Sequence, residues 1–298
     1  MKNKFVDSIL PFQIDDKNLR GRFARLEKLA SDALKNHRFP DEVCTLLIEA
    51  LLLTVLIGEM IKIKWKLSLQ VRGNDSIKLL ATDYYAPKEE GNPARVRAYA
   101  DYDKDAAHLS LDSGLFAITI DQGKNMEPYQ GITPIIEGSL SKSAENYFFQ
   151  SEQIKTFFDL NITKKHGAKN GKNWGASGFM LQALPSDHDN KFIDDQSWER
   201  LKEKIIEQTK DHSNLSDFNQ YRFLDSIFQT STLTIFKETK LKSGCSCKRN
   251  TLLYTLAKYP KEQLEEMSDK RKKISANCQF CGKRFQFFLQ EILDYNEG

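Results

Sequence analysis

Charge imbalance is nearly absent from this chain: 44 Lys and Arg stand against 41 Asp and Glu over 298 residues, a net of +3. So small an excess does not by itself argue for a nucleic-acid partner. A long apolar run is missing too. Val43 to Ile63 comes nearest, but Glu49, Glu59 and Lys62 interrupt it, and its uninterrupted part from Ala50 to Ile57 falls far short of the ~20 residues a bilayer span needs. A core helix is expected there, with Cys44 packing at its start as a small hydrophobe. The N-terminus shows no apolar segment followed by a small-residue cleavage site, so no secretory signal is read and a cytoplasmic location without membrane association is expected. With 40% hydrophobic and 29% charged residues the composition is that of an ordinary globular protein, which disfavours disorder.

Catalytic patterns are equally scarce. The five histidines are scattered, none at a spacing from Ser, Cys or Asp that suggests catalysis, so no catalytic residue and no enzyme activity is expected. The loop HGAKNGKNWGASG contains Gly171 and Lys172, yet it is not a phosphate loop. The preceding glycine, Gly167, is one residue too close, and Asn173 stands where Ser or Thr would hold magnesium. A hairpin loop and no ATP site are expected.

What the chain does have is four of its five cysteines in its last fifth, as Cys245-x-Cys247 and Cys278-x-x-Cys281. Four thiolates at about 2.3 Å satisfy the tetrahedral preference of Zn²⁺ and leave no open position for a substrate. In a reducing compartment such clusters are metal ligands or redox centres before they are permanent disulfides. One zinc ion held by Cys245, Cys247, Cys278 and Cys281 is therefore expected.

Residues 16 to 63 read as two helices broken near His37 to Pro40. Leu19, Phe23, Leu26, Ala30 and Ala33 recur at helical spacing in the first, and Asp41 and Glu42 follow Pro40 at the start of the second. Strands are expected at Trp65 to Val71, Ile77 to Ala81 and Leu115 to Asp121, a helix over SKSAENYFFQSEQIKTFF, then strands FDLNI and FMLQAL. This mixture without βαβ alternation implies an α+β domain with antiparallel sheets and helices over residues 1–185. From Ser186 the composition turns polar and charged, and two amphipathic helices follow. Trp198, Leu201 and Ile205 line one; Leu215, Phe218, Tyr221, Leu224 and Phe228 line the other. Residues 186–240 are thus expected to form a helical linker that packs on the first domain.

Residues 241–298 form the expected small Cys₄ domain. Two short helices, RNTLLYTLAKY and PKEQLEEMSDK, precede a hairpin in which Cys-Gln-Phe-Cys-Gly joins Ile274–Ala276 to Arg284–Phe287. Gly282 fits a zinc knuckle, where positive φ lets backbone N–H groups face the sulfurs. So short and charged a segment builds little core, so the metal is expected to supply its folding energy. Lys248, Arg249, Lys283 and Arg284 flank the cysteines and are expected to favour thiolate. Three readings compete. One is a constitutive structural zinc ribbon, whose basic balance (11 Lys and Arg less 7 Asp and Glu, +4) suits RNA or DNA. The second is a thioredoxin-like centre at Cys278 and Cys281, although that motif belongs at a helix start. The third is a redox switch in which oxidation pairs the thiols and ejects the metal.

With these residues the chain resembles the heat shock protein 33 family, the redox-regulated molecular chaperones. The likeness extends over nearly the whole length, through CSC, CQFCG, SLQVRGN from Ser68, the run from Tyr129 to Thr156, and FMLQALP ending at Pro185. The resemblance implies an ATP-independent holdase, inactive and monomeric while reduced and zinc-bound. It implies disulfides Cys245 with Cys247 and Cys278 with Cys281 on oxidation, zinc loss, unfolding of linker and C-terminal segment, dimerisation, and capture of unfolded clients. The chain departs from the family where Trp65, Asp75 and Ala98 stand in place of frequent glycines, and where Gln229, Thr230 and Ser231 replace an acidic stretch.

Overall fold

A computed structural model describes residues 7–61, 63–123, 126–165, 173–184, 193–210, 219–229 and 231–297. It divides into two compact units, Met1–Ser243 and Gly244–Gly298. The first begins with β1 (Ser8–Ile14), β2 (Leu19–Leu26), α1 (Lys28–Leu34) and α2 (Asp41–Met60). Five strands follow: β3 (Lys66–Gly73), β4 (Ile77–Tyr85), β5 (Ala94–Tyr102), β6 (Gly114–Asp121) and β7 (Tyr129–Pro134). Then come α3 (Leu140–Glu152), β8 (Thr156–Lys165), β9 (Asn173–Ala183), α4 (Asp195–Lys210), α5 (Gln220–Phe228), β10 (Leu233–Ile235) and β11 (Thr239–Ser243). The second unit contains α6 (Arg249–Leu256), α7 (Lys261–Met267), the hairpin β12 (Lys273–Asn277) with β13 (Arg284–Phe288), and α8 (Leu289–Glu297). This is the mixed α+β architecture expected.

The first unit is one sheet in the order β7-β6-β3-β4-β5-β11-β1-β2-β9-β8, with β10 also against β1. Its pairings are antiparallel except for β11 with β5. On one face lies α2, whose Leu47, Leu51 and Val55 are fully buried together with Leu67, Leu69, Val96 and Ile118 of the strands. Twenty residues long and apolar, α2 is long enough to cross a membrane by length and composition, but 72% of its most apolar window is buried. It is the core helix. Cys44 lies buried near its start, its thiol donating to the Phe39 carbonyl at 3.7 Å.

Gly58 lets α2 approach β4 closely. A Cβ there would lie 2.6 Å from Cγ of Tyr84, whose hydroxyl donates to Glu59 at 2.9 Å and whose ring is buried. Gly58→Ala is expected to lower stability by roughly 1–3 kcal/mol through overpacking, read as a lower urea midpoint at unchanged slope.

The opposite face of the β1, β2 and β9 region is covered by the linker helices. Leu10, Phe12, Phe23, Phe179 and Leu181 point to this side and meet Trp198 and Ile205 of α4 and Phe223, Leu224 and Phe228 of α5. Asn219 caps α5 by accepting from the N–H groups of Tyr221 and Arg222. The stripes foreseen for both helices are thus packed on the sheet, with one correction. Tyr221 is 49% exposed and Phe223 takes the buried position; Leu215, Phe218 and the 185/186 boundary lie outside the described residues.

Other differences have local causes. Leu19 to Leu26 is a strand, not a helix: Leu19, Gly21 and Phe23 face one side while Arg20 and Arg22 face the other, so period 2 is the true period and the three-four spacing coincidental. The helix foreseen through Phe158 stops at Glu152, where Gln153 turns left-handed at φ 55°, and Thr156 begins β8. Asp75 fills the β3–β4 turn and accepts from the Ser113 N–H at 3.3 Å. Trp65 stands edge-on to Tyr85 at 5.9 Å, and Ala98 is buried in β5. Gly171 and Lys172 lie outside the described residues.

Candidate metal centre

Cys245 and Cys247 lie on the extended chain leading into α6, and Cys278 and Cys281 lie in the turn between β12 and β13. The turn is a knuckle. The Gly282 N–H donates to the Cys278 carbonyl at 2.8 Å, the Cys278 N–H to the Lys283 carbonyl at 2.9 Å, and Gly282 adopts φ 69°, open to glycine at no steric cost. This curl directs the N–H groups of Phe280 and Cys281 at the Cys278 sulfur.

All four sulfurs lie within 4.8 Å of one another, with contacts of 3.6 Å for Cys245–Cys278 and 3.5 Å for Cys247–Cys281. A tetrahedron with metal–sulfur bonds near 2.3 Å has edges of about 3.8 Å. The donor set and its spacing therefore fit a four-sulfur metal centre, and the four thiols are free of disulfides.

The unit around the cluster has a small core: Leu253, Ala257, Leu264, Ile274, Phe285, Phe287, Leu289 and Ile292 are buried, with Cys247 and Cys278 packed against them. Arg249, at the start of α6, forms a two-toothed ion pair with Glu291 of α8, donates to the Gln286 carbonyl at 3.1 Å and lies 4.5 Å over the Phe287 ring. It ties the segment before the hairpin to the segment after it. Sequence reasoning missed this clasp, because nothing local links residues 42 positions apart.

Three of the four flanking cations have other partners. Arg249 is engaged with Glu291, Arg284 donates to Ser275 Oγ at 2.9 Å, and Lys283 lies over the Phe285 ring at 5.1 Å. Burial and then the neighbouring thiols push the Cys247 pKa well above the ordinary thiol value, and burial leads the causes that raise Cys278, against the N–H groups facing its sulfur. Without a metal Cys247 and Cys278 thus favour the thiol, and a bound ion would supply charge that stabilises their thiolates. Metal uptake must then release protons. Because the raised Cys247 and Cys278 thiols must lose their protons to bind, affinity is expected to fall steeply as pH drops below neutrality and to rise toward alkaline pH. A competition titration with a chromophoric chelator across pH checks the sign; affinity flat between pH 6 and 8 would contradict it.

Three comparisons bear on these features. The family model described as Hsp33 protein matches residues 7–288. The 33 kDa chaperonin of Caulobacter vibrioides is 28% identical over 288 residues, covering 94% of each chain, and that of Hahella chejuensis is 28% identical over 287 residues, covering 96% of each. The crystal structure of the 33 kDa chaperonin, a heat shock protein 33 homolog, from Thermotoga maritima superposes with a TM-score of 0.75 at 20% identity over 98% of both chains, which shows the same fold. Matched from the first strand to the hairpin that carries Cys278 and Cys281, the chain belongs to the Hsp33 family, a family of stress-response chaperones.

Proposed function

We propose that this protein is a redox-regulated holdase that captures unfolding polypeptides without ATP, its active state gated by one zinc ion on Cys245, Cys247, Cys278 and Cys281. The observation that carries the reading is the convergence of four sulfurs at zinc-like spacing in a unit with few buried side chains of its own. Zinc binding free energies of about 10–16 kcal/mol are large against what so small a core supplies. The ion would hold the thiolates, fix the knuckle to the chain before α6, and supply no chemistry to a substrate.

Oxidation reverses this. Disulfides between Cys245 and Cys247 and between Cys278 and Cys281 would each form one S–S bond, passing two electrons to the oxidant; with hydrogen peroxide, each bond reduces one peroxide to two waters. Sulfurs committed to disulfides are lost to the ion, so zinc leaves and the unit from Gly244 onward loses its main support. Functionally the chain divides into a core (1–185), a linker (186–240) and a switch (241–298). Unfolding in the switch and linker would uncover apolar surface now hidden under α4 and α5, fit for clients and for pairing of oxidised monomers into dimers. The cytoplasm suits such a sensor, since it keeps the thiols reduced until stress.

The test is suppression of light scattering by a chemically denatured model protein diluted into zinc-loaded or peroxide-treated protein, with no nucleotide. Suppression only after oxidation supports the switch. Equal activity in both states overturns it, and salt-sensitive nucleic-acid binding by the reduced form would favour a zinc ribbon that reads RNA or DNA.

A further inference from the structure

The sheet of the first unit is joined at one place. β7, β6, β3, β4 and β5 form one ladder, β1, β2, β9 and β8 form another, and among the described residues the only strand paired to both is β11. β11 is short, with the sequence Thr-Lys-Leu-Lys-Ser, and of its five side chains only that of Leu241 is buried. Against β5 it runs parallel, with Leu241 beside Ala94, Lys242 beside Arg95 and Ser243 beside Val96. Against β1 it pairs at only two positions, Ser8 with Lys240 and Ile9 with Thr239, supplemented by the Leu241 N–H donating to the Asp7 carbonyl at 2.8 Å. The strands it touches are better made: Ile9, Ala94 and Val96 are fully buried.

Two features make β11 a replaceable occupant. Lys242 and Arg95 are lateral neighbours on the same face, and Arg95 and Arg97 both lie over the Tyr85 ring, at 5.1 and 5.5 Å, so the strand puts a cation beside cations. Like charges in lateral pairs weaken a ladder. In sequence, only Gly244 separates the end of β11 from Cys245. If the segment beginning at Gly244 unfolds, a five-residue strand is left attached to a disordered chain, and such ends fray first.

We propose that the slot between β5 and β1, filled by β11 in the zinc-bound protein, is a client site into which an extended segment of an unfolded polypeptide adds as a strand. The inference rests on the holdase reading and gives it a location. A vacated slot presents two rows of backbone donors and acceptors, which supply affinity without regard to sequence, as strand addition does elsewhere. Side-chain preference is set by the two faces. The position of Leu241 takes an apolar residue against Ile9, Ala94 and Val96, while the position of Lys242, beside Arg95, prefers a neutral or acidic one. Clients that fit are apolar strand formers bearing Glu or Asp at alternate positions.

The full chain tests this, using a fluorescent nine-residue peptide with Thr-Glu-Leu-Glu-Ser at its centre and a control carrying Thr-Lys-Leu-Lys-Ser. Hydrogen exchange is followed at those amides of Ser8, Ile9 and Ala94 to Val96 that face β11, since alternate amides of β1 and β5 bond β2 and β4. These are expected to be protected with zinc bound, exposed after oxidation, and protected again by the acidic peptide, which should bind more tightly than the basic one. Lys242→Glu places a carboxylate beside Arg95 and strengthens β11, so the oxidised variant should bind the acidic peptide about fivefold more weakly while releasing zinc as the wild type does. Amides of Ala94 to Val96 facing β11 that stay protected through oxidation, or a Lys242→Glu protein that binds the peptide like the wild type, would overturn the slot. If client capture nonetheless depends on oxidation in those experiments, the switch itself stands; capture indifferent to oxidation is the separate result that removes it.

Discussion

Cys278→Ser is expected to lose zinc and the fold of residues 244–298 together while β2 and β9 of the first unit stay folded. Serine keeps the volume but does not ionise near neutral pH, so one corner of the tetrahedron is lost. Cys278 is also the sulfur that the Phe280 and Cys281 N–H groups face, so the knuckle loses its organising anion. Affinity for zinc should fall by more than about 100-fold. What remains is a core of eight buried side chains and the Arg249–Glu291 clasp. That clasp is exposed to solvent, where ion pairs contribute little. Amides of β12 and β13 should exchange freely, while those of β2 and β9, paired over eight positions and packed on both faces, stay protected. A variant that binds zinc stoichiometrically and tightly would contradict the ligand assignment.

Phe223→Ala should do from the linker what the proposed oxidation would do from the metal. Phe223 is buried, with its ring 5.5 Å from that of Phe23 and 6.0 Å from that of Phe179. Truncating a buried phenylalanine costs about 3–5 kcal/mol where the site cannot collapse. α5 spans nine residues, too few to persist as a helix without its packing partner. Loosening it uncovers Leu10, Phe12 and Phe179, the surface it now shields along with α4. The reduced, zinc-loaded variant is therefore expected to suppress aggregation that the reduced wild type does not, with its zinc content unchanged. A reduced variant that is folded but inactive would show that the covered face takes no part in client capture.

The cysteine cluster was legible in the sequence because its chemistry is local: two pairs, each a few residues long, and a glycine whose positive φ closes the knuckle. α2 was legible for the same reason, as an apolar run with acidic residues at its start. The strand β2 was not, since Leu19, Phe23 and Leu26 satisfy a helical spacing and a buried strand face alike. β5 escaped notice because three of its inward positions are Ala94, Ala98 and Ala100, too small to mark a period against their neighbours. The hinge of the sheet was illegible in principle. Thr-Lys-Leu-Lys-Ser has one apolar residue, and its place between β5 and β1 is decided by strands more than 140 residues earlier in the chain. The partners of Arg249 and Arg284, Glu291 and Ser275, were illegible because they are chosen by the fold and not by proximity in sequence.

The most direct measurement is one oxidation titration in which zinc release, read with a chromophoric chelator, and capture of a denatured client are followed in the same sample. The proposed coupling of one ion on four thiols to client capture should give two curves that rise together, with one zinc released per chain at full activity. Client capture that is complete while zinc is still bound, or zinc released without any gain in capture, would contradict the coupling.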